Sequence, residues 1–238
     1  MARLVRSGEA VRVTIVSHTI DPIRSIALAQ LNMTGDMHHD LDAILRVDAD
    51  DIFRDICKTE LQGAFEFAHF NIQMEGVTRA FQQQLTRTRM ASYSAESLRF
   101  TESGMEVLVG PGVGEIDGVD WRLEYEILMG NVEMIYRYMI EAGIPVEDAR
   151  GILPLNVLSK IGMSVSYKTL VQMSRVRMCY QSQKGEWGPV FSMIVKELRV
   201  IDPLLTLPLG AFCEHGQECP FGSRLDRPCP RNHRKEGQ

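Results

Sequence analysis

RTRMASYSAESLRF, residues Arg87 to Phe100, packs three arginines (Arg87, Arg89, Arg99) and four serine or tyrosine hydroxyls into fourteen positions, with Glu96 its only acid. An ordinary surface helix would mix acids and lysines into such a run. Guanidinium forks beside small hydroxyls suit a site that grips phosphate and orients a planar polar ligand. A solvated basic turn has the same composition, so composition alone leaves both readings open.

The order of the residues says more. Arg-x-Arg, seven residues, then Ser-x-Arg resembles the signature of the flavin-dependent thymidylate synthases, R-H-R-x-x-S-x-x-x-x-S-x-R-[YF]. Arg87, Arg89, Ser92, Ser97, Arg99 and Phe100 match it, while Thr88 replaces the usual histidine and Ala95 stands where Glu or Gln is common. Gln84 lies three residues upstream, as in that family. EDARGILPLN (Glu147 to Asn156) resembles its AR-x-x-LP-x-N segment, and Arg177 falls where a substrate arginine is expected. The resemblance spans about residues 10–200.

That resemblance implies an enzyme that converts dUMP to dTMP, with methylenetetrahydrofolate as carbon donor, reduced FAD as hydride donor and NADPH as reductant. It implies a nucleotide site at Gln84, Arg87, Glu96, Ser97, Arg99, Arg150 and Arg177, with Arg177 on the base as the catalytic group. For the flavin it implies Asn32, Arg87, Thr88, Arg89, Ser166, Lys168 and Gln172. The family usually has Asn and Arg at the positions of Ser166 and Lys168, and a histidine near Leu61-Gln62-Gly63 is also missing. Family sites lie between subunits of a homotetramer, so Arg87 would serve a neighbour's nucleotide. The departures keep a sister reaction open, hydroxymethylation or methylation of dUMP or dCMP. A non-catalytic nucleotide- or RNA-binding protein is the reading from another class. A net charge of -5 argues against nonspecific nucleic-acid binding.

The chain of 238 residues can bury a full core as one large domain with an appendage, here residues 1–208 and 209–238. It shows no apolar run of membrane-span length and no signal-type segment at MARLVRSGEAVRVTIV, which places the protein in the cytoplasm. VRVTIV (Val11 to Val16), FEFAHFNIQM (Phe65 to Met74), Glu106 to Val113 and Lys160 to Ser166 read as strands. Helical spacing covers Ile23 to Leu31 after the start signal Asp21-Pro22, a stretch within Met37 to Cys57, and Thr78 to Leu85. It also covers Asp120 to Ala142, whose Leu123, Ile127, Leu128, Val132, Ile135 and Met139 share a face, then Val146 to Ile152, Tyr167 to Cys179 and Trp187 to Val200. The irregular mixture predicts an α+β fold, a mixed or antiparallel sheet with packed helices, and no Rossmann crevice.

Cys57 and Cys179 stand alone in helical sequence and read as small core residues. The tail carries Cys213-x5-Cys219-x9-Cys229-x3-His233 in turn-rich surroundings. Three thiolates and an imidazole can close a tetrahedral structural zinc site, so the spacing predicts a metal knuckle there.

Overall fold

The computed structural model describes residues 3–6, 10–35, 40–102, 104–181, 185–217, 219 and 229. In chain order the elements are β1 (Arg3–Arg6), β2 (Arg12–His18), α1 (Pro22–Thr34), α2 (Leu41–Leu45), α3 (Ala49–Cys57), β3 (His69–Thr78), α4 (Arg79–Leu85), β4 (Ala91–Ala95) and β5 (Glu106–Val109). Then come β6 (Glu115–Ile116), β7 (Val119–Asp120), α5 (Trp121–Glu141), α6 (Val146–Ala149), β8 (Leu158–Ser166), α7 (Tyr167–Arg177) and α8 (Trp187–Ile201). The architecture is α+β, with an antiparallel sheet of order β2-β3-β8-β4 at its centre. β1 and β5 pair in parallel beside it, and β6 with β7 forms a small hairpin.

Period-two alternation gives the central sheet two unlike faces. Phe70, Ile72, Met74, Ile161, Met163 and Val165 point into the core, where Ile26, Phe53, Phe191 and Ile194 of the helices meet them. The opposite face is a polar row in register across all four strands: Ser17, Asn71, Ser164 and Ser92. Asn71 donates to the Ser17 hydroxyl at 2.8 Å within that row. β3 carries one bulge, at Gly76, where the pairing with β8 shifts between Glu75 and Val77. Gly76 has φ +66°, and a Cβ there would lie 2.1 Å from the Ala10 carbonyl oxygen. Only glycine fits both constraints.

Three expectations change. The segment from Phe65 begins as a 3-10 turn over Gly63–Phe67, and the strand starts at His69. Phe65 is fully buried between Phe53 and Tyr167, with ring centroids 5.5 and 5.0 Å away, so tertiary packing overrides its alternation with Phe67. The helix expected within Met37 to Cys57 is two helices, because Asp48 stops the run and caps α3 through the Asp51 amide. The strand from Glu106 ends at Val109 rather than Val113, just before Gly110-Pro111.

α5 sits on the β1–β5 pair through Met129, Tyr125 and Val132, which pack with Met105, Val107 and Leu4. The apolar stripe read from its sequence lies largely elsewhere: Leu123, Ile127, Leu128 and Ile135 are each about half exposed in the single chain. The tail begins on the core. Leu209 belongs to the main cluster, and the Gly210 amide donates to the Ser174 hydroxyl at 3.1 Å.

Candidate active site

α4 is only seven residues long, yet it carries the first groups of the site. The Thr78 hydroxyl caps its start by accepting from the Phe81 amide at 3.0 Å. After Leu85 the chain turns tightly through Thr86–Met90 into β4. The Tyr93 hydroxyl holds that turn, 2.9 Å and 2.8 Å from the carbonyl oxygens of Leu85 and Thr88. Arg87 and Arg89 are thereby presented on a braced turn, exposed to solvent.

Arg177 ends α7 and faces this turn. Its guanidinium carbon stands 4.0 Å over the Trp187 ring centroid, and partial burial lowers its pKa from the usual 12.5. An arginine so placed keeps its charge at neutral pH and projects a stronger field than in water. The indole N–H of Trp187 donates to the Gln84 side-chain oxygen at 2.7 Å. Thr88, Met90, Gln172 and Arg177 line one cavity of about 230 Å³ with Thr169 and Met173. The structure thus brings Gln84 and Arg177 together through Trp187, and puts Thr88, Gln172 and Arg177 around one space.

A second group forms where β4 leaves the sheet. Arg99 makes an ion pair with Glu147, 2.7 Å from Nη2 and 3.1 Å from Nε to the same carboxylate oxygen. Arg150 donates from Nε to the Glu147 backbone carbonyl at 3.1 Å. The Ser97 hydroxyl accepts from the Arg99 amide at 3.4 Å, so Ser97, Arg99 and Arg150 gather around the start of α6. Glu96 turns the other way, accepting from the Ser159 hydroxyl at 3.1 Å beside a polar cavity of about 500 Å³. The two groups meet through α4: Arg79 donates to the Glu96 carbonyl at 3.2 Å, and Gln84 sits at the other end of the helix.

The remaining expected flavin residues are more scattered. Ser166 is buried and caps α7, accepting from the Thr169 amide and donating to the Thr169 hydroxyl. Lys168 pairs with Glu66 at 3.3 Å. Asn32 is exposed near the end of α1, its carbonyl taking the Gly35 amide. Burial pushes the Cys57 thiol up to about 12, and burial also raises Cys179, which the nearby Cys219, Cys229 and Cys213 raise further. Neither is set up as a nucleophile. Among the described residues no three His, Cys, Asp or Glu side chains form a metal-holding group, and His233 lies outside them. The metal knuckle expected in the tail is therefore not formed by the described residues.

With this geometry in view, the chain matches a family model described as Thymidylate synthase complementing protein over residues 14–204. The chain belongs to the thymidylate synthase complementing protein family. Curated relatives of this family member are flavin-dependent thymidylate synthases. That of Geobacter sulfurreducens is 28% identical over 218 residues, covering 89% of this chain and 91% of its own. That of Pyrococcus furiosus is 27% identical over 238 residues, covering 95% and 96%. The UMP/dUMP methylase PolB from Streptomyces cacaoi, bound with 5-Br UMP, superposes with a TM-score of 0.71 at 16% identity, covering 92% of this chain and 99% of its own. Bound with 5-Br dUMP, it gives a TM-score of 0.69. At that identity the likeness is one of fold.

Sequence reasoning missed the braces of this family member's site. Trp187 and Glu186 fall in no motif, and Tyr93 and Glu147 lie inside the two quoted stretches at positions other than the matched ones. Trp187 carries no distinguishing signal, since Trp121, the other tryptophan, also opens a helix directly after an acid. Tyr93 enters the sequence reading only as one of four hydroxyls in the arginine-rich stretch, and β4, which carries it, is not among the expected strands.

Proposed function

We propose that this chain is a flavin-dependent thymidylate synthase, converting dUMP to dTMP with methylenetetrahydrofolate as carbon donor, FAD as flavin and NADPH as reductant. One observation carries the reading: Arg177, expected on the base, shares a cavity with Thr88 and Gln172, expected on the flavin. A nucleotide and a flavin that must exchange a hydride need adjoining walls of this kind. The curated relatives' activity and the matched family model support it.

The residues fit FAD in part. Arg87 and Arg89 offer two exposed cations for a diphosphate beside Thr88 and Gln172, with Lys168 and Asn32 further along the same reading. Ser166, whose hydroxyl is engaged by Thr169, would contribute through its place at the start of α7. The cavity, about 230 Å³, is smaller than the ~300–1,000 Å³ that encloses a drug-sized ligand. One chain therefore supplies one wall, which supports sites completed between subunits of a homotetramer. Bound FAD supplies hydride chemistry that no side chain can.

The chain's own residues bind and orient. Arg99, Arg150 and Ser97 take the nucleotide phosphate by charge-assisted bonds. The Arg99–Glu147 pair is half exposed and worth ~0–1 kcal/mol, so a dianion displaces or shares it at little cost. Arg177 donates to a pyrimidine carbonyl, stabilising the charge that develops on the ring as C5 becomes nucleophilic. Raised thiol pKa values at Cys57 and Cys179 agree with a route that uses no cysteine nucleophile.

Purified protein should be yellow, and its reduced flavin should be reoxidised on adding dUMP with methylenetetrahydrofolate, yielding dTMP. Product analysis with dUMP and dCMP side by side separates this from the sister reactions. Turnover of dCMP alone, or a hydroxymethyl product, removes the proposed assignment. No helix among the described residues is long and apolar enough to cross a membrane, which is compatible with the cytoplasmic setting this reading assumes.

The tail is proposed to hold one structural zinc on Cys213, Cys219, Cys229 and His233. Its support is the soft donor set and the ligand spacing in turn-rich sequence. Elemental analysis of the parent, Cys219→Ser and His233→Ala tests it. Equal zinc in parent and Cys219→Ser removes the site.

A further inference from the structure

We propose that Trp187 is a positioning residue that sets the plane of Arg177 and the side chain of Gln84 against the nucleotide, clamped there by its neighbour Glu186. The inference rests on the nucleotide site proposed above.

Trp187 is fully buried, and its ring sits 4.4 Å from that of Phe81 and 6.1 Å from that of Phe191. Such a ring cannot rotate without disturbing α4 and α8 together. Arg177 lies over this ring at 4.0 Å. A guanidinium over an aromatic face is held by cation–π attraction and has its plane restricted, so its N–H fork points in a fixed set of directions. An aliphatic floor would give similar burial and no such restriction. On the opposite side of its chemistry, the indole N–H fixes the Gln84 oxygen at 2.7 Å. One side chain thus couples two expected nucleotide ligands from separate elements.

Glu186 completes the clamp. Its buried carboxylate accepts from the Thr78 amide at 2.8 Å and from the Thr78 hydroxyl at 2.7 Å. Thr78 is the cap at the start of α4, and Gln84 lies at its end. The dipeptide Glu186–Trp187 therefore grips both ends of that short helix while supporting Arg177. Fixing the N–H fork before the substrate arrives is the preorganisation that makes a charge-stabilising arginine effective.

A double-mutant cycle reads this coupling. Trp187→Phe keeps an aromatic floor and loses the indole donor; Trp187→Leu loses both. Rates are normalised to bound flavin, so that a reduced folded fraction does not count. Expected are a raised KM for dUMP with kcat kept within about threefold for Trp187→Phe, and a kcat at least ~10-fold down for Trp187→Leu, the loss of about one RT ln 10 of transition-state stabilisation. In an Arg177→Ala background, Trp187→Leu should change kcat by less than about threefold, because its effect acts through the arginine. Equal effects in both backgrounds would mean a purely structural tryptophan and overturn the proposal.

A second readout is independent of the reaction. In a Trp121→Phe protein, Trp187 is the remaining tryptophan, and its fluorescence should change when Arg177→Ala removes the stacked cation. Unchanged emission overturns the proposal whatever Trp187→Leu does to folding. A parent that binds flavin but fails to turn over dUMP strikes the proposed reaction, while the emission measurement still decides the stack.

Discussion

Arg99 illustrates how a single residue can be well placed and lightly held. Its partner Glu147 is as exposed as it is, so the pair is a resting place for the guanidinium and not a buried anchor. Arg99→Ala should weaken dUMP binding by roughly 2–5 kcal/mol, the range for truncating a charge that becomes desolvated in a complex. Flavin content should stay at the parent level. Unchanged dUMP affinity by titration would remove Arg99 from the phosphate site. Glu186 makes the opposite case, a carboxylate that burial holds above its ordinary 4.5, with the Thr78 bonds pulling it partly back. A carboxylate with a raised folded-state pKa binds its proton more tightly when folded. Stability is therefore lost as pH climbs from 4.5 through the raised value. Glu186→Gln should show a flatter loss of Tm across that window, and an unchanged slope would mean that another group titrates there. The proposed roles of Arg87, Arg89 and Arg99 rest on spacing within one motif, which is local in sequence. Glu186 and Trp187 were not legible in that way, since their partners Thr78, Gln84 and Arg177 lie far away in sequence.

Among the elements, β3 depends on one backbone position. Gly76→Ala forces a Cβ against the Ala10 carbonyl and keeps a positive φ. The expected cost is ~1–3 kcal/mol, read as a fall in Tm of a few degrees. A variant that melts with the parent would mean the bulge relaxes freely. Strand and helix existence was largely legible, since alternation in β2 and β8 and helical spacing in α1, α7 and α8 follow from burying one face. What escaped were the places where a distant contact outranks local pattern. Phe65 leaves a strand-like run to pack between Phe53 and Tyr167. β1 pairs in parallel with β5 across a long separation, and four residues carry no readable period.

For the molecule as a whole, the half-exposed stripe on α5 is the part that a single chain leaves unfinished. A stripe with Leu123, Ile127 and Leu128 at the surface suits contact with a second copy, in line with the proposed tetramer. Light scattering should give about four times the chain mass of 26.9 kDa. Ile127→Glu should lower it and release flavin if subunits complete the site. A parent that sediments as a monomer would refute the proposed assembly.

The order β2-β3-β8-β4 also governs how this chain can be made. β8 lies between β3 and β4, so the last strand to be synthesised must insert between two that are already there. At ~5–20 residues per second, the ribosome takes on the order of ten seconds to travel from β3 to the end of β8. Throughout that interval β3 and β4 have bare inner edges, and the apolar row Phe70, Ile72 and Met74 has no partner strand on that side. Nascent chains halted before Leu158 should be captured by chaperones and digested readily by protease. Chains released after Ser166 have all four strands but still lack α7 and α8, which cover the apolar face, so full protection should appear only once Ile201 is complete.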